Sequence, residues 1–242
     1  MGDDHVKRHW AGNRLLQAIP AVDRPLLQQS AEFVELARGQ VLFEAGQDVA
    51  ITHFPLRGAM AGLVIALKDG RTTEAASIGQ EGAVGGIVSA GHKPAFARAI
   101  MQIAGPAIRI ETAQIEAAKL RSAIVRDIFS RFADSLVAQL LQSVACNVLH
   151  PLPQRLARWL LTTRDRTTSD ELPLTQEYLG QMVGAHRSTV IRAVRALQSE
   201  GAIRSRRGRL TVVNRARLEQ ASCECYRAVA RHYDRILGPT EP

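Results

Sequence analysis

The chain has 242 residues, enough for one large domain or two modest ones. Hydrophobic residues make up 46% and charged residues 22%, which excludes a disordered, collagenous or fibrous chain. The formal net charge of +8 is uneven: residues 1–150 carry 15 Lys+Arg against 14 Asp+Glu, and residues 151–242 carry 16 against 9, every cation there being arginine. Basic charge gathered in one segment points to a polyanion partner. Apolar runs such as Gly82–Ala90 are far shorter than the ~18–20 residues of a membrane span, so no membrane partner is expected. The start, Met1-Gly2-Asp3-Asp4-His5, lacks a basic and an apolar region, so no signal peptide is expected. Three cysteines are too few for a disulfide framework, so a cytoplasmic chain with free thiols is expected.

In chain order, residues 11–37 read as helical. Leu15, Leu16 and Ile19 share one stripe closed by Pro20, and Leu26, Leu27, Ala31, Phe33 and Val34 continue a helical or mixed region. From Gly39 to about Ile110 the pattern becomes short apolar runs punctuated by glycine. The runs are Val41–Phe43, Ile51–Leu56, Ala61–Leu67, Glu74–Ile78, Ala97–Ile103 and Ala107–Ile110. Asp69-Gly70 between two of them is a hairpin signal, and the spacing suggests a sandwich, barrel or jelly roll. Gly82–Gly91 reads as a loop or short helix within that unit.

From Thr112 to about Asn147 the period is helical, and no proline or glycine interrupts 107–150. The stripe Ile124, Ile128, Phe132, Leu136 and Leu140 recurs at four-residue steps and is the expected dimer face of a single helix about 45 Å long. His150-Pro151-Leu152-Pro153 then breaks the helix and is the expected hinge. Leu156, Trp159 and Leu160 mark a short helix, and residues 164–171 read as loop.

The segment from Leu172 carries the functional signal. Thr175 is an N-cap with Glu177 in the first turn, and Leu179, Met182 and Val183 face inward. Gly184 stops that helix. A second helix runs from about Arg187 to Ser199, with Val190, Ala193, Val194 and Leu197 inside and Arg187, Ser188, Ile191, Arg192 and Arg195 outside. Ile203–Val213 reads as a hairpin turning near Arg207-Gly208, with Arg204, Arg206, Arg207 and Arg209 able to reach phosphates. Together these form a winged helix-turn-helix.

With these elements in this order, the chain resembles the CRP/FNR family, the cyclic-AMP receptor protein and its relatives. The resemblance implies an α+β fold: an N-terminal jelly-roll β-roll of the cyclic-nucleotide-binding type with leading helices (1–112), a dimerisation helix (113–149) and a C-terminal winged helix-turn-helix (150–242). It implies a homodimer on double-stranded DNA, reading two half-sites about one turn apart, and it leaves RNA polymerase open as a further partner. Arg187 falls on the family's guanine-reading arginine and Arg192 on its second base- or phosphate-reaching one. Thr189 and Thr175 fall on phosphate-contacting positions. Ser188 and His186 depart from the Glu and the Ser common there, so a different operator is expected.

The effector module departs further. The loop Gly79-Gln80-Glu81-Gly82-Ala83-Val84-Gly85-Gly86 is the candidate effector pocket, through Gly79, Glu81, Gly82, Val84, Gly85 and Gly86. The family's cyclic-nucleotide cassette has Glu after the glycine, where this chain has Gly86, and Arg98 is not followed by Ser or Thr. This argues against cyclic AMP and cyclic GMP; the effector is unknown and no cofactor is assigned. No cysteine precedes residue 146, which excludes the oxygen-sensing iron–sulfur arrangement. His53 and His92 qualify as haem ligands by residue type alone. The seven histidines include no His-x-His, no Gly-x-Ser-x-Gly or P-loop is present, and no catalytic residue or metal ligand is assigned. Cys223-x-Cys225 and Cys146 leave a thiol role open, with packing as the default, since Leu218, Ala221, Cys225, Val229 and Ile236 share one stripe. The alternative reading is a ligand-independent or thiol-gated regulator whose β-roll only scaffolds the dimer.

Overall fold

The computed structural model describes residues 2–87, 94–206 and 208–238. The leader holds α1 (Gly2–His9), a 3-10 turn (Trp10–Gly12), α2 (Arg14–Gln17) and α3 (Pro25–Gln28). Asn13 anchors it: the buried side chain caps α2 through Leu16 N–H and donates to the carbonyls of Pro55 (2.9 Å) and Gly82 (2.8 Å). The stretch read as helical then ends as a strand, β1 (Glu32–Leu36). Its aromatic and β-branched residues Phe33 and Val34 pair with Ile108 and Ala107, and this long-range pairing outweighs the local helical pattern.

Six further strands follow: β2 (Val41–Phe43), β3 (Ile51–Pro55), β4 (Met60–Ala66), β5 (Thr72–Ile78), β6 (Arg98–Ile103) and β7 (Gly105–Glu111). They form two antiparallel sheets, ordered β1-β7-β3 and β2-β6-β4-β5. The Asp69-Gly70 turn joins β4 and β5, with Ala66 opposite Thr72 and Gly70 at φ +83°. The inner faces bury Phe54, Met101 and Ile108.

The helical stretch expected to be one rod is two helices, α4 (Thr112–Arg121) and α5 (Ala123–Leu149). Ser122 breaks it. Its backbone is extended (φ −131°, ψ 117°) and its hydroxyl accepts from Val125 N–H at 3.2 Å, so a new helix starts with its own cap. α5 has the length and apolar character of a membrane span, yet it packs against β5 and a C-terminal helix of the same chain.

α5 ends at Leu149, and His150 and Pro151 are extended. α6 (Leu152–Arg166) runs longer than expected, to Arg166, whose guanidinium pairs with Glu81 of the roll. Next come β8 (Glu171–Leu172), α7 (Gln176–Val183), α8 (Arg187–Ser199), β9 (Ile203–Arg206), β10 (Arg209–Val212), α9 (Arg215–Ala221) and α10 (Cys225–Leu237). The single C-terminal stripe is therefore split between α9 and α10. One core joins the roll, α5 and Tyr233 of α10. A second lies in the C-terminal part and takes Met60, Val64 and Ile103 from the roll.

His53 lies on β3, its backbone bridged to Val84 in both directions (3.0 and 2.7 Å). Burial, reinforced by Arg109, pushes its imidazole from 6.5 down to about 4. The unfolded chain therefore takes up a proton near pH 6.5 that the folded chain resists until about pH 4. The stabilisation is complete above pH 6.5 and lost as pH falls through this window, by about 2–3 kcal/mol. Its Nδ1 has no hydrogen-bond partner among the described residues. His53→Leu should flatten the loss of stability between pH 7.5 and 4.5 by about 2 kcal/mol, measured as the difference in urea unfolding between variant and parent.

Candidate nucleic-acid interface

The α7–α8 pair is built locally by its caps. Thr175 Oγ1 accepts from Tyr178 N–H at 3.1 Å and starts α7. Gly184 ends it in the left-handed conformation (φ +62°). Gly180 is the less obvious requirement: a Cβ there would stand 2.9 Å from the Ala185 carbonyl, so a side chain would prise the turn open. His186 caps α8 through Nδ1, which faces Ser188 N–H at 3.4 Å and Ser188 Oγ at 2.9 Å.

These caps fix which face of α8 is free. Val190, Ala193, Val194 and Leu197 are buried. Arg187, Ser188, Arg192 and Arg195 are exposed, and Thr189 and Ile191 are half-buried beside them. Beyond α8, Arg206 pairs with Arg209 across the β9–β10 hairpin, with Gly208 at φ +80°. Ile203, Leu210 and Val212 point inward, while Arg204, Arg206 and Arg209 are exposed. Arg209 is held at 2.5 Å by Glu171. Arg207 lies outside the described residues. Apart from it, the predicted DNA-facing residues from Thr175 to Arg209 fall on the α7–α8 unit and its hairpin.

Residues 154–221 match the model of the Crp-like helix-turn-helix domain. The C-terminal unit is a Crp-like helix-turn-helix domain. The whole chain has the CRP/FNR regulator fold. It is similar to FixK2 from Bradyrhizobium japonicum (16% identity, 80% of this chain and 98% of that one, TM-score 0.67). It is equally similar to a putative transcriptional regulator of the Crp/Fnr family from Eubacterium rectale (16% identity, 86% and 96%, TM-score 0.67). A CRP-family transcriptional regulator from Thermus thermophilus follows (18% identity, 78% and 96%, TM-score 0.63). No curated protein matches the chain in sequence.

Within this CRP/FNR fold, the glycine loop is not an open pocket. Phe132 of α5 fills the space beside Gly82, Val49 that beside Gly85, and Thr112 with Thr52 that beside Gly86. Ala83 and Val84 are fully buried. The expected pocket is thus occupied by the chain's own side chains, for which the glycines make room. His53 is in the sheet, and His92 lies outside the described residues.

A cavity of about 170 Å³ opens instead between β5, α5, α6 and α10, lined by Glu74, Glu81, Gln139, Arg158, Arg166 and Tyr233. Of the expected pocket residues only Glu81 reaches it. Arg166 donates to both Glu81 oxygens (2.6 and 3.1 Å) and to Ser77 Oγ (2.7 Å), and Gly79 N–H donates to Glu81 at 3.0 Å. Burial alone would raise the Glu81 carboxyl, but the Arg166 charge and these hydrogen bonds hold it below its ordinary value. Glu74 goes the other way: burial outweighs hydrogen bonds from Gln102 and Trp159 and raises it. Neither Arg166 nor Glu74 stands out in the sequence, because Glu81 lies 85 residues from Arg166, and Trp159 and Gln102 lie 85 and 28 residues from Glu74.

The stripe expected to form a dimer face is only partly open in the chain. Ile128 and Phe132 are buried against the chain's own roll, and Leu136 packs beside them. Leu140 is half-buried and Ile124 is 52% exposed. The open face of α5 lies one position round, at Val137, Leu141 (67% exposed), Val144 and Val148 (78% exposed).

Removing one partner of a buried ion pair strands the other. Arg166→Leu should cost about 3–5 kcal/mol, and Glu81→Leu added to it should recover part of that loss. A double-mutant cycle by urea unfolding measures both.

Proposed function

We propose that the protein is a sequence-specific DNA-binding transcription regulator rather than an enzyme, acting in the cytoplasm as a homodimer on a two-fold symmetric operator. The observation that carries this reading is the exposed Arg187–Arg195 face of α8, presented by a capped turn and flanked by an arginine hairpin. A helix of this kind enters the major groove with its N-terminal residues on base edges. Arg187, at the first position of α8, is placed to pair with a guanine through two hydrogen bonds. Arg204, Arg206 and Arg209 on the hairpin supply phosphate contacts, which set affinity and register rather than sequence.

The dimer seam in this reading is Val137, Leu141, Val144 and Val148. Their 4-3-4 spacing is that of a two-helix coiled-coil seam, and it lies on the one side of α5 that neither the roll nor α10 covers. Dimerisation would set the two α8 helices about one DNA turn apart, on the order of 34 Å. The regulatory half is the roll. With the glycine loop filled, a gating ligand is better accommodated by the cavity at Glu81 and Arg166. A ligand there acts by favouring one orientation of the DNA-binding domain over another.

Arg187→Ala should cost about 1–3 kcal/mol of binding and relax preference at a single base pair, as read by selection from a random DNA pool. Arg206→Ala should weaken all sequences alike and reduce the slope of log affinity against log salt by about 1. Equal weakening of every sequence by Arg187→Ala would reduce that residue to a phosphate contact. Leu141→Glu with Val144→Glu should convert the dimer to a folded monomer in sedimentation, and a variant still dimeric would place the interface elsewhere.

A further inference from the structure

The chain's three cysteines and one histidine meet at the joint between the long helix and the C-terminal helix. Cys146 comes from the last turn of α5, His150 from the hinge, Cys223 from the turn joining α9 to α10 and Cys225 from the first residue of α10. Their four ligand atoms all lie within 4.8 Å of one another. Cys146, Cys223 and Cys225 are 0%, 4% and 1% exposed, and the His150 side chain is largely covered.

The distances discriminate among chemistries. Around a tetrahedral zinc ion, metal–sulfur bonds of about 2.3 Å and metal–nitrogen bonds of about 2.05 Å place two thiolates about 3.8 Å apart and a thiolate and an imidazole nitrogen about 3.6 Å apart. Here Cys146 Sγ and Cys223 Sγ are 3.5 Å apart, and Cys225 Sγ and His150 Nδ1 are 3.6 Å apart. All three cysteines are free thiols. We infer that Cys146, His150, Cys223 and Cys225 form a Cys₃His site for a single tetrahedral divalent cation of the zinc type, which clasps α5 and the hinge to the α9–α10 turn.

The surroundings fit such a site. With Nδ1 turned to the cluster, His150 Nε2 faces the Glu224 carboxylate at 3.3 Å, the second partner that a metal-bound imidazole ordinarily has. Gln142 Nε2 donates to Cys225 Sγ at 3.0 Å, a contact that favours a thiolate. Three thiolates around a divalent cation leave one net negative charge, and Arg155 and Arg158 stand close enough to feel the cysteines electrostatically. Their buried Nε atoms have no hydrogen-bond partner among the described residues. Cation binding would release the thiol protons to solvent, with no change in oxidation state.

The test uses the full chain, purified under reducing conditions, stripped with a chelator and titrated with cobalt(II) and then zinc(II). The expected result is one cation per chain. Cobalt should give the intense d–d absorption of a tetrahedral site with thiolate-to-metal charge transfer, bleached by zinc. Zinc should also protect all three thiols from a thiol reagent. Cys223→Ser and Cys225→Ser should abolish stoichiometric binding, and Glu224→Gln, which removes no ligand, should weaken it 10–100-fold against a competing chelator. Folding of each variant is checked by circular dichroism. A folded parent chain that binds no cation, a weak octahedral cobalt spectrum, a sulfide-containing cluster, or a Cys146–Cys223 disulfide that forms in the presence of zinc would each overturn the proposal. None of these outcomes depends on DNA binding, so failure here is separable from failure of the regulator reading.

Discussion

The pairing of Arg166 with Glu81 sets how the two halves of the molecule sit together. Bringing a guanidinium and a carboxylate out of water costs several kcal/mol each, so such a pair persists only when nearly every hydrogen-bonding position is used. Here Arg166 reaches both Glu81 oxygens and Ser77, while Gly79 N–H supplies Glu81 with another donor. The fork geometry of guanidinium against carboxylate fixes an angle as well as a distance. One partner follows β5 and the other ends α6. The orientation of the helix-turn-helix unit is thus set at a point remote from α8, and Glu74 with Trp159 adds a second bond across the same junction.

The sequence reveals what is local. The strands β2 to β7 coincide with apolar runs between glycines, and the α7–α8 unit is fixed by Thr175, Gly184 and alternation within two short helices. β1 is hidden because Phe33 and Val34 acquire their meaning only from β7, more than 70 residues away. The break at Ser122 is hidden because serine is tolerated inside helices, and only its backbone shows it to be a cap. The cysteines are legible as a Cys-x-Cys pair but not as a cluster, since 77 residues separate Cys146 from Cys223.

The α5 stripe shows how periodicity can mislead. Apolar residues cover more than one face of this helix, so four-residue steps through Ile124 to Leu140 trace a line that belongs to several neighbours. The roll takes Ile128 and Phe132, and α10 takes the side near Gln139 and Cys146, where Tyr233 donates to Gln139 at 3.1 Å. The remaining face is defined by subtraction, which needs the positions of both neighbours. Among the glycines of the loop the same competition appears in reverse: Gly82 resembles a ligand-cradling residue and instead receives the ring of Phe132.

The bond between Arg14 and Asp234, 3.0 Å long across 220 positions of sequence, has a consequence for the order of assembly. Arg14 belongs to the leader that sits on the roll, and Asp234 lies in the last turn of α10. During synthesis the roll and α5 emerge first, and the surface that α10 will cover stays open to solvent until α10 itself has been made. A nascent chain that stops short of α10 therefore leaves the Phe132 ring, Gln139 and Cys146 of α5 without their partners Tyr233 and Cys223, and incompletely covered cores of this kind favour aggregation and recognition by chaperones. α10 returns the polypeptide to its own leader, and only a product that includes this helix reaches the sealed state.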